Sequence, residues 1–437
     1  MRRANNIAIT KRKAILNLEI KEILAREILD SRANPTISVE VRLSDGSVGE
    51  GSVPSGASCG KYEAREKRDT ESGRYYGRGV LEAIGGVNDI IFPSLVGMSP
   101  YEIEEADSVM IALDGTLNKS KLGANAILAV SIALARAAAN SLGIPLYRYL
   151  GGYLVKKMPQ PMMNILNGGR HADNNIEIQE FMLVPTGAES FTEGVRMVSE
   201  CYHSLKNVLR SRSLSTGVGD EGGFAPNLNS DEEALELLSL AVSEAGYEIK
   251  RDISFAIDAA ASEWFYEGEY YLRKRGERRT KDELISYFLD LSEKYPIISI
   301  EDPMGEDDIV GWQRMSERFS GRGVNLVGDD LFVTNTERIA LGAREKIANA
   351  VLIKPNQIGS ITEAHEAVSL SRELGYKTVI SHRSGETEDS FISDFAVAVS
   401  ADFVKMGAPA RGERCAKYNR LMKIESELFA PSYGFLK

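Results

Sequence analysis

The sequence predicts an α/β protein whose C-terminal part is a β/α barrel. Six short apolar runs in the second half of the chain each end in one charged or imidazole side chain. These ends are Asp258, Glu301, Asp329, Lys354, His382 and Lys405. Successive ends are separated by roughly 25 to 45 residues, about the length of one buried parallel strand and its returning helix. This spacing predicts the barrel.

The same six side chains predict a functional site. The carboxyl ends of barrel strands carry the active site, so we expect three carboxylates, two lysines and one histidine to converge at that rim. Any one of them alone is better explained as a solvated residue that follows a strand. Six in succession are not explained in this way, and together they indicate a metal site beside an anion site.

The sequence predicts an N-terminal tail followed by two domains. Residues 1–18 contain five Lys and Arg side chains and no acid before Glu19, which predicts a basic tail because the apolar core of a secretion signal is missing. Residues 19–150 are expected to form an α+β domain, and 151–437 the barrel. Gly151 and Gly152 mark the boundary, because paired glycines interrupt regular structure.

The predicted first domain begins with strands and continues with helices. Residues 24–43 alternate as β-structure, and Asp45-Gly46 predicts a hairpin turn. The most apolar stretch, 124–142, contains Asn125, Ser131, Arg136 and Asn140. It therefore falls short of the ~20 uninterrupted apolar residues that a bilayer requires, and we predict a buried, alanine-rich helix.

In the predicted barrel, Ser230 with Glu233 and Thr280 with Glu283 have the spacing of capping boxes at helix starts. Both helices are expected to cover the barrel and carry no function. His203 lies in another helical stretch, as does His365. Both histidines are interpreted as structural or exposed.

Composition limits the function classes. The chain has 437 residues, 43% of them apolar and 26% charged, and a formal net charge of −11. An ordinary globular protein is expected, and the negative charge argues against a general nucleic-acid or anionic-membrane binder. Its three cysteines lack disulfide or metal-ligand spacing, which predicts a reducing, cytoplasmic location.

Three glycine-rich segments add polar groups. They are Asn167–Ala172, Gly219–Pro226 and Ser55–Gly60. Glycines beside a charged residue let backbone approach a ligand closely, although most such turns are only turns. The third segment suits a mobile lid or, equally well, a plain surface loop.

These segments resemble the enolase family across nearly the whole chain after the tail. The similar stretches are 27–32, 55–60, 114–125, 167–172, 219–226, 299–303, 328–331, 354–357, 381–389 and 405–409. The resemblance implies a TIM-like barrel with an N-terminal capping domain, and the reversible dehydration of 2-phosphoglycerate to phosphoenolpyruvate. It also implies two Mg²⁺ ions per active site and a homodimer, or an octamer of dimers. Cys59 and Ala33 depart from the family pattern, which usually has threonine and glycine there.

The resemblance also implies roles for named residues. Asp258, Glu301 and Asp329 would hold the first Mg²⁺, and Ser58 would help to hold the second. His382, Arg383 and Ser384 would surround the substrate phosphate, Lys405 would reach the substrate carboxylate, and His171 and Gln179 would line the same pocket. Hard oxygen ligands suit Mg²⁺.

Lys354 is implied as the base that removes the proton next to the carboxylate. It must be neutral to act, so we expect burial, Lys405 and the metal ions to lower its pKa. Glu221, with Glu180 beside it, would protonate the leaving hydroxide, and the two carboxylates would share one proton. Another Mg²⁺-dependent lyase of the superfamily, or a scaffold protein without activity, remains as an alternative.

Overall fold

The computed structural model describes residues 18–56, 60–71 and 73–434, which form two compact units. The first unit comprises 18–54, 64–71, 73–153 and 355–363, and the second comprises 55–56, 60–63, 154–354 and 364–434. The predicted tail up to residue 17, together with Ser58 and Cys59, lies outside the described residues.

The first unit contains one antiparallel sheet, in the order β1 (Ile20–Leu29), β2 (Pro35–Leu43) and β3 (Val48–Ser52). Its α-helices span Leu81–Gly86, Phe92–Leu95, Ile103–Asp114, Ala124–Leu142, Leu146–Gly151 and Pro355–Ile358, with a 3₁₀ turn at Arg74–Gly77 and a π turn at Val87–Ile91. The predicted hairpin is confirmed, because Gly46 joins β2 to β3 with a φ of +89° that suits glycine.

Ala124–Leu142 is the predicted alanine-rich helix, and it packs closely on the sheet. A Cβ atom on Gly49 would lie 2.2 Å from the carbonyl oxygen of Ala133, and one on Gly51 would lie 2.6 Å from that of Ala129. Small residues on both sides thus let helix and strand backbones touch. This helix is long and apolar enough to cross a membrane by length and composition, but 78% of its apolar window is buried inside the protein, as in a core helix.

Ala33 lies between β1 and β2 in the left-handed region, with a φ of +60°. Its turn is held by Asp30, whose Oδ1 accepts hydrogen bonds from the backbone N–H groups of Arg32 (2.8 Å) and Asn34 (2.9 Å). Alanine is strained in this region and glycine is not. The departure from the family pattern therefore falls on a position that favours glycine.

The second unit contains an eight-stranded closed barrel. Its strands are β5 (Gln160–Asn167), β6 (Glu180–Val184), β7 (Ser254–Asp258), β11 (Ile297–Glu301), β12 (Asn325–Gly328), β13 (Ala350–Ile353), β14 (Lys377–Ser381) and β15 (Phe403–Lys405), in that cyclic order. All neighbours are parallel except at β6, which runs antiparallel to both β5 and β7. The predicted barrel is confirmed. The reversed second strand was not predicted.

Helices connect the barrel strands. They span Phe191–Ser211, Asp231–Glu244, Lys281–Lys294, Ile309–Phe319, Thr336–Glu345, Ile361–Glu373, Phe391–Ala398 and Gly412–Glu427. A small sheet is formed by β8 (Phe265–Tyr266), β9 (Glu269–Leu272) and β10 (Glu277–Arg279), and a two-stranded one by β4 (Lys157–Met158) and β16 (Ser432–Tyr433). Short 3₁₀ turns lie at Gly169–His171 and Ala261–Glu263.

Side chains that alternate along the strands fill the barrel core. Met162, Met182, Val327, Leu352 and Phe403 belong to one buried apolar cluster. Burial of this cluster stabilises the barrel by the hydrophobic effect and leaves the strand ends free to carry polar groups.

Two helix starts and two histidines were predicted outside the site. The capping box of Thr280 and Glu283 is complete. Ser230 caps its helix, but the Glu233 side chain accepts a hydrogen bond from the backbone N–H of Asn229 and not from that of Ser230, so this capping box is incomplete. His203 and His365 are exposed, as expected for residues without a role in the site.

Candidate active site

The six predicted strand-end residues meet at one rim of the barrel. Asp258, Glu301 and Lys405 are the last residues of their strands, while Asp329, Lys354 and His382 directly follow theirs. Because β6 is reversed, its first residue, Glu180, is paired with Asp258 at the same rim. A cavity there is lined by His171, Gln179, Glu180, Glu221, Asp258, Ala260, Glu263, Asp302, Asp329, Asp330, Lys354, Ser381, His382, Arg383, Ser384 and Lys405.

Lys405 lies at the centre of the carboxylates. Its Nζ is 2.7 Å from Glu301 Oε2, 3.1 Å from Asp258 Oδ2 and 3.2 Å from Glu180 Oε2. Gln179 Nε2 donates to the same Asp258 Oδ2 at 3.2 Å. Burial lowers the pKa of Lys405, but Asp258, Glu180 and Glu301 raise it well above its ordinary value. This lysine therefore stays positively charged.

Lys354 pairs with Asp329. Burial lowers its pKa, but the Asp329 carboxylate more than offsets this effect, and the pKa of Lys354 is raised. The expected lowering is therefore wrong for the structure as it stands. The lysine that was predicted to be neutral faces an acid that favours its charged form. Lys405 opposes this effect as predicted, and so does Arg383, which was not predicted to do so.

Asp302 organises the residues after β12. Its two carboxylate oxygens accept hydrogen bonds from the backbone N–H groups of Asp329 (2.9 Å) and Asp330 (2.8 Å). Oxygens of these three acids lie within 4.8 Å of one another, which makes a group that could hold a metal ion. Burial and the like charge of Asp329 raise the pKa of Asp330 to about 8.

The predicted metal ligands are thus divided between two sets. Asp329 belongs to the group with Asp302 and Asp330, whereas Asp258 and Glu301 share Lys405. Burial raises the pKa of Glu301 well above its ordinary value, and the charges of Asp258 and Asp329 add to that shift. A site so rich in buried carboxylates suits a hard divalent cation, because positive charge would relieve their mutual repulsion.

A second acidic group surrounds His171. The Nδ1 atom of this histidine is 3.4 Å from Glu180 Oε1 and 3.5 Å from Glu221 Oε1. Asn164 Nδ2 donates to the other oxygen of Glu221 at 2.9 Å. Burial lowers the pKa of His171, but Glu221 and Glu180 raise it more. This arrangement brings the two predicted acids together.

The two carboxylates have opposite pKa shifts. Burial and the charge of Glu221 raise the pKa of Glu180 to about 7. Burial acts in the same direction on Glu221, but His382, His171 and Arg414 hold its pKa well below the ordinary value. Near neutral pH a proton held by this pair would lie on Glu180 and not on Glu221, which was expected to be the acid.

The predicted phosphate ligands follow β14. The Arg383 guanidinium donates to the Glu63 carboxylate at 3.1 and 3.3 Å, so a carboxylate already occupies its donor fork. His382 and Ser384 line the cavity beside it. These contacts place cationic and polar donors on one wall, as an anion site requires.

Several residues of the site were not predicted. They are Glu63, Asn164, Asp302, Asp330 and Arg414. Asp302 and Asp330 each directly follow a predicted strand-end acid, and this adjacency is a signal that could have found them. Asn164 and Arg414 carry no such signal, because a polar residue in a strand or helix is usually explained by solvent exposure.

Two family models match the chain over most of its length. Residues 155–433 match the model described as "Enolase, C-terminal TIM barrel domain". Residues 20–150 match the one described as "Enolase, N-terminal domain".

Proposed function

This chain belongs to the enolase family, and we propose that it catalyses the Mg²⁺-dependent, reversible dehydration of 2-phosphoglycerate to phosphoenolpyruvate. The observation that carries the proposal is the juxtaposition of Lys354, Lys405 and the Glu180–Glu221 pair around one cavity. A base and an acid on separate parts of one site suit the removal of a proton and of a hydroxide from adjacent carbons.

The acidic side chains fit the proposed Mg²⁺ ions. Asp258, Glu301 and Asp329 would hold the first ion, with Asp302 and Asp330 beside it, and all of these offer the oxygen ligands that Mg²⁺ prefers. Mg²⁺, when bound, supplies positive charge that stabilises the carboxylate dianion formed as the proton leaves. The second ion, with Ser58 as a ligand, rests on the family resemblance.

Lys354 is the proposed base. It must lose its proton before it can accept the one on C2, and Arg383 and Lys405 favour that loss by their charge. Asp329 opposes the loss of this proton. If Asp329 served as a metal ligand, its carboxylate would raise the pKa of Lys354 less. The enolase superfamily is itself a standard example of a lysine or histidine base next to Mg²⁺.

Glu180 and Glu221 are the proposed acid pair. A protonated carboxyl can transfer a proton to the leaving hydroxide, and the raised pKa of Glu180 supplies that proton near neutral pH. Glu221, held ionised by its cationic neighbours, lies close enough to Glu180 for its charge to raise the pKa of that carboxyl. We therefore propose that the pair acts as a unit, with His171 beside it.

Binding of the substrate would use the remaining donors. Arg383, Ser384 and His382 would surround the phosphate, where the guanidinium offers a bidentate fork. The phosphate would displace the Glu63 carboxylate from Arg383. Lys405 would reach the substrate carboxylate, and Gln179 would line the pocket.

Other features of the proposal rest on the family and on composition. We propose a homodimer or an octamer of dimers, a cytoplasmic location and a small-molecule substrate, with no nucleic-acid or membrane partner. A different Mg²⁺-dependent lyase would not need Arg383 and Ser384 in the cavity. A scaffold protein would not need a buried acid pair with divergent pKa values.

A coupled assay of 2-phosphoglycerate turnover tests the proposal. We expect turnover with Mg²⁺, loss of turnover in excess EDTA and recovery when Mg²⁺ is restored. Absence of turnover by correctly folded protein at saturating Mg²⁺ would eliminate the proposed activity, and other 2-hydroxy or 3-hydroxy acids would then be tested as substrates.

A further inference from the structure

A fully buried arginine, Arg414, lies behind His382 in the second unit. Its NH2 donates to the carbonyl oxygens of Ser384 at 2.6 Å and Asp220 at 3.1 Å. Its NH1 donates to the carbonyl oxygen of Arg383 at 2.6 Å and lies 2.6 Å from His382 Nδ1. Both terminal nitrogens of the guanidinium are therefore committed to fixed partners.

The contact with Arg414 determines which nitrogen of His382 carries the proton. A guanidinium has five N–H donors, no acceptor, and is not deprotonated in proteins. Nδ1 of His382 must therefore accept, which leaves the proton of the neutral ring on Nε2. A proton on Nδ1 would instead direct one N–H at another across 2.6 Å.

The opposite nitrogen of the ring is buried, in a residue that lines the cavity. His382 Nε2 is 3.4 Å from Glu221 Oε1, and among the described residues it has no partner with hydrogen-bond geometry. The ring is buried and closely packed, since a Cβ on Gly407 would lie 3.1 Å from His382 Cε1 and 2.9 Å from Arg414 Cδ. A buried N–H whose nearest acceptor, Glu221, is long and poorly aligned is incompletely satisfied, so a ligand acceptor would be favoured there.

We propose that Arg414 is a positioning residue that holds His382 as the neutral Nε2–H tautomer and directs this N–H into the cavity as a donor for an oxygen of the substrate. The identity of that oxygen rests on the proposed function. The tautomer itself does not, because it follows from the contact of Arg414 with the ring.

The same helix supplies a matched control. Lys417 is also fully buried, and its Nζ lies 2.8 Å from Glu386 Oε2 and donates to the carbonyl oxygens of Thr387 (2.9 Å) and Glu413 (3.0 Å). It supports the loop after β14, but none of these contacts reaches His382. Replacing Lys417 by Met removes the cation paired with Glu386, whose charge acts on the ring, but leaves Arg414 against Nδ1, so it should perturb the loop without changing the tautomer.

The experiment is ¹⁵N NMR of the imidazole rings in the full-length protein. The chain has four histidines, so selective labelling gives few signals, and His382→Gln identifies the one of interest. The charged groups around this ring are Glu221, Arg414 and Glu386. Burial and the charge of Arg414 lower the pKa of His382 to about 4, although Glu221 acts to raise it. Wild-type protein should thus show protonated Nε2 and unprotonated Nδ1 throughout pH 5 to 8.

Arg414→Met should allow His382 to adopt other protonation states. Without the guanidinium, Glu221 favours the imidazolium, so the second tautomer or the charged ring should appear between pH 5 and 8. Lys417→Met should retain the wild-type spectrum. Arg414→Lys should give a spectrum between those of the wild type and Arg414→Met, because an ammonium cannot reproduce the planar set of N–H donors of a guanidinium. Turnover should fall by at least tenfold in Arg414→Met.

Two results would overturn the proposal. One is a wild-type His382 with its proton on Nδ1, a result that does not depend on any Arg414 variant. The other is a spectrum and titration of Arg414→Met identical to those of the wild type. If the predicted tautomer is found in a protein that does not turn over 2-phosphoglycerate, only the proposed function fails.

Discussion

Replacing Lys405 by Met should strongly destabilise the barrel unit. Met removes the ammonium but retains an unbranched stem of similar length, so little cavity is created. Three buried carboxylates, those of Asp258, Glu180 and Glu301, lose the cation that lies 2.7 to 3.2 Å from them. Removing one partner of a buried ion pair costs about 3–5 kcal/mol, because the remaining charge is left uncompensated.

The control is Lys294→Met, which removes an exposed pair with Glu232 at 2.9 Å. Exposed pairs contribute about 0–1 kcal/mol, so this variant should unfold nearly as the wild type does. Both tryptophans, Trp264 and Trp312, are buried in the second unit. Their fluorescence therefore follows the unfolding of that unit in urea.

We expect the urea midpoint of Lys405→Met in EDTA to fall by on the order of 1 M relative to the control. The loss should be larger at pH 8 than at pH 5. Without the lysine, the carboxylates of Glu180 and Glu301 have still higher pKa values in the folded state, so they are neutral at low pH and their burial costs more as pH rises. Equal midpoints for both variants at pH 8 would refute the reasoning. Adding Glu301→Gln should restore part of the loss.

Lys354→Ala should abolish exchange of the substrate C2 proton with solvent deuterium, whereas Glu221→Gln should impair water loss more than exchange. NMR measures the exchange, and an equal loss of exchange in both variants would contradict the assigned roles. Glu301→Gln should weaken Mg²⁺ binding measured by calorimetry, and unchanged affinity would remove this residue from the ligand set. Because the pKa of Glu180 is about 7 when folded, above its ordinary value, its contribution to stability is lost as pH rises through that value. In urea titrations with EDTA, this effect should lower the free energy of unfolding of the wild type by on the order of 2 kcal/mol between pH 5 and 8, and Glu180→Gln should lack the decrease. Ala33→Gly should stabilise the first unit by roughly 0.5 kcal/mol, since relief of the left-handed strain exceeds the added chain entropy, and a lower midpoint by circular dichroism would oppose this account.

Local pattern was sufficient to predict six of the eight barrel strands and the charged or imidazole residues at their ends. A buried strand must be apolar along its length, and a residue at its end is free of that constraint, so Asp258 or Lys354 stands out in the sequence itself. The reversed direction of β6 could not be predicted in this way. Strand direction depends on pairing with residues distant in the chain, and Glu180 reaches the rim only because β6 is antiparallel to β7.

The sequence by itself determined which chemical groups are present at the rim, since the strand pattern and the family motifs both rest on residue order. Only the tertiary structure decided their charge states. Lys354 has a raised pKa because Asp329 lies against it. The pKa values of Glu180 and Glu221 differ because His382 and Arg414 lower that of Glu221, whereas burial and the charge of Glu221 raise that of Glu180, and His171 contacts both carboxylates. Electrostatic energy depends on distance and burial, and neither quantity is encoded in local sequence pattern.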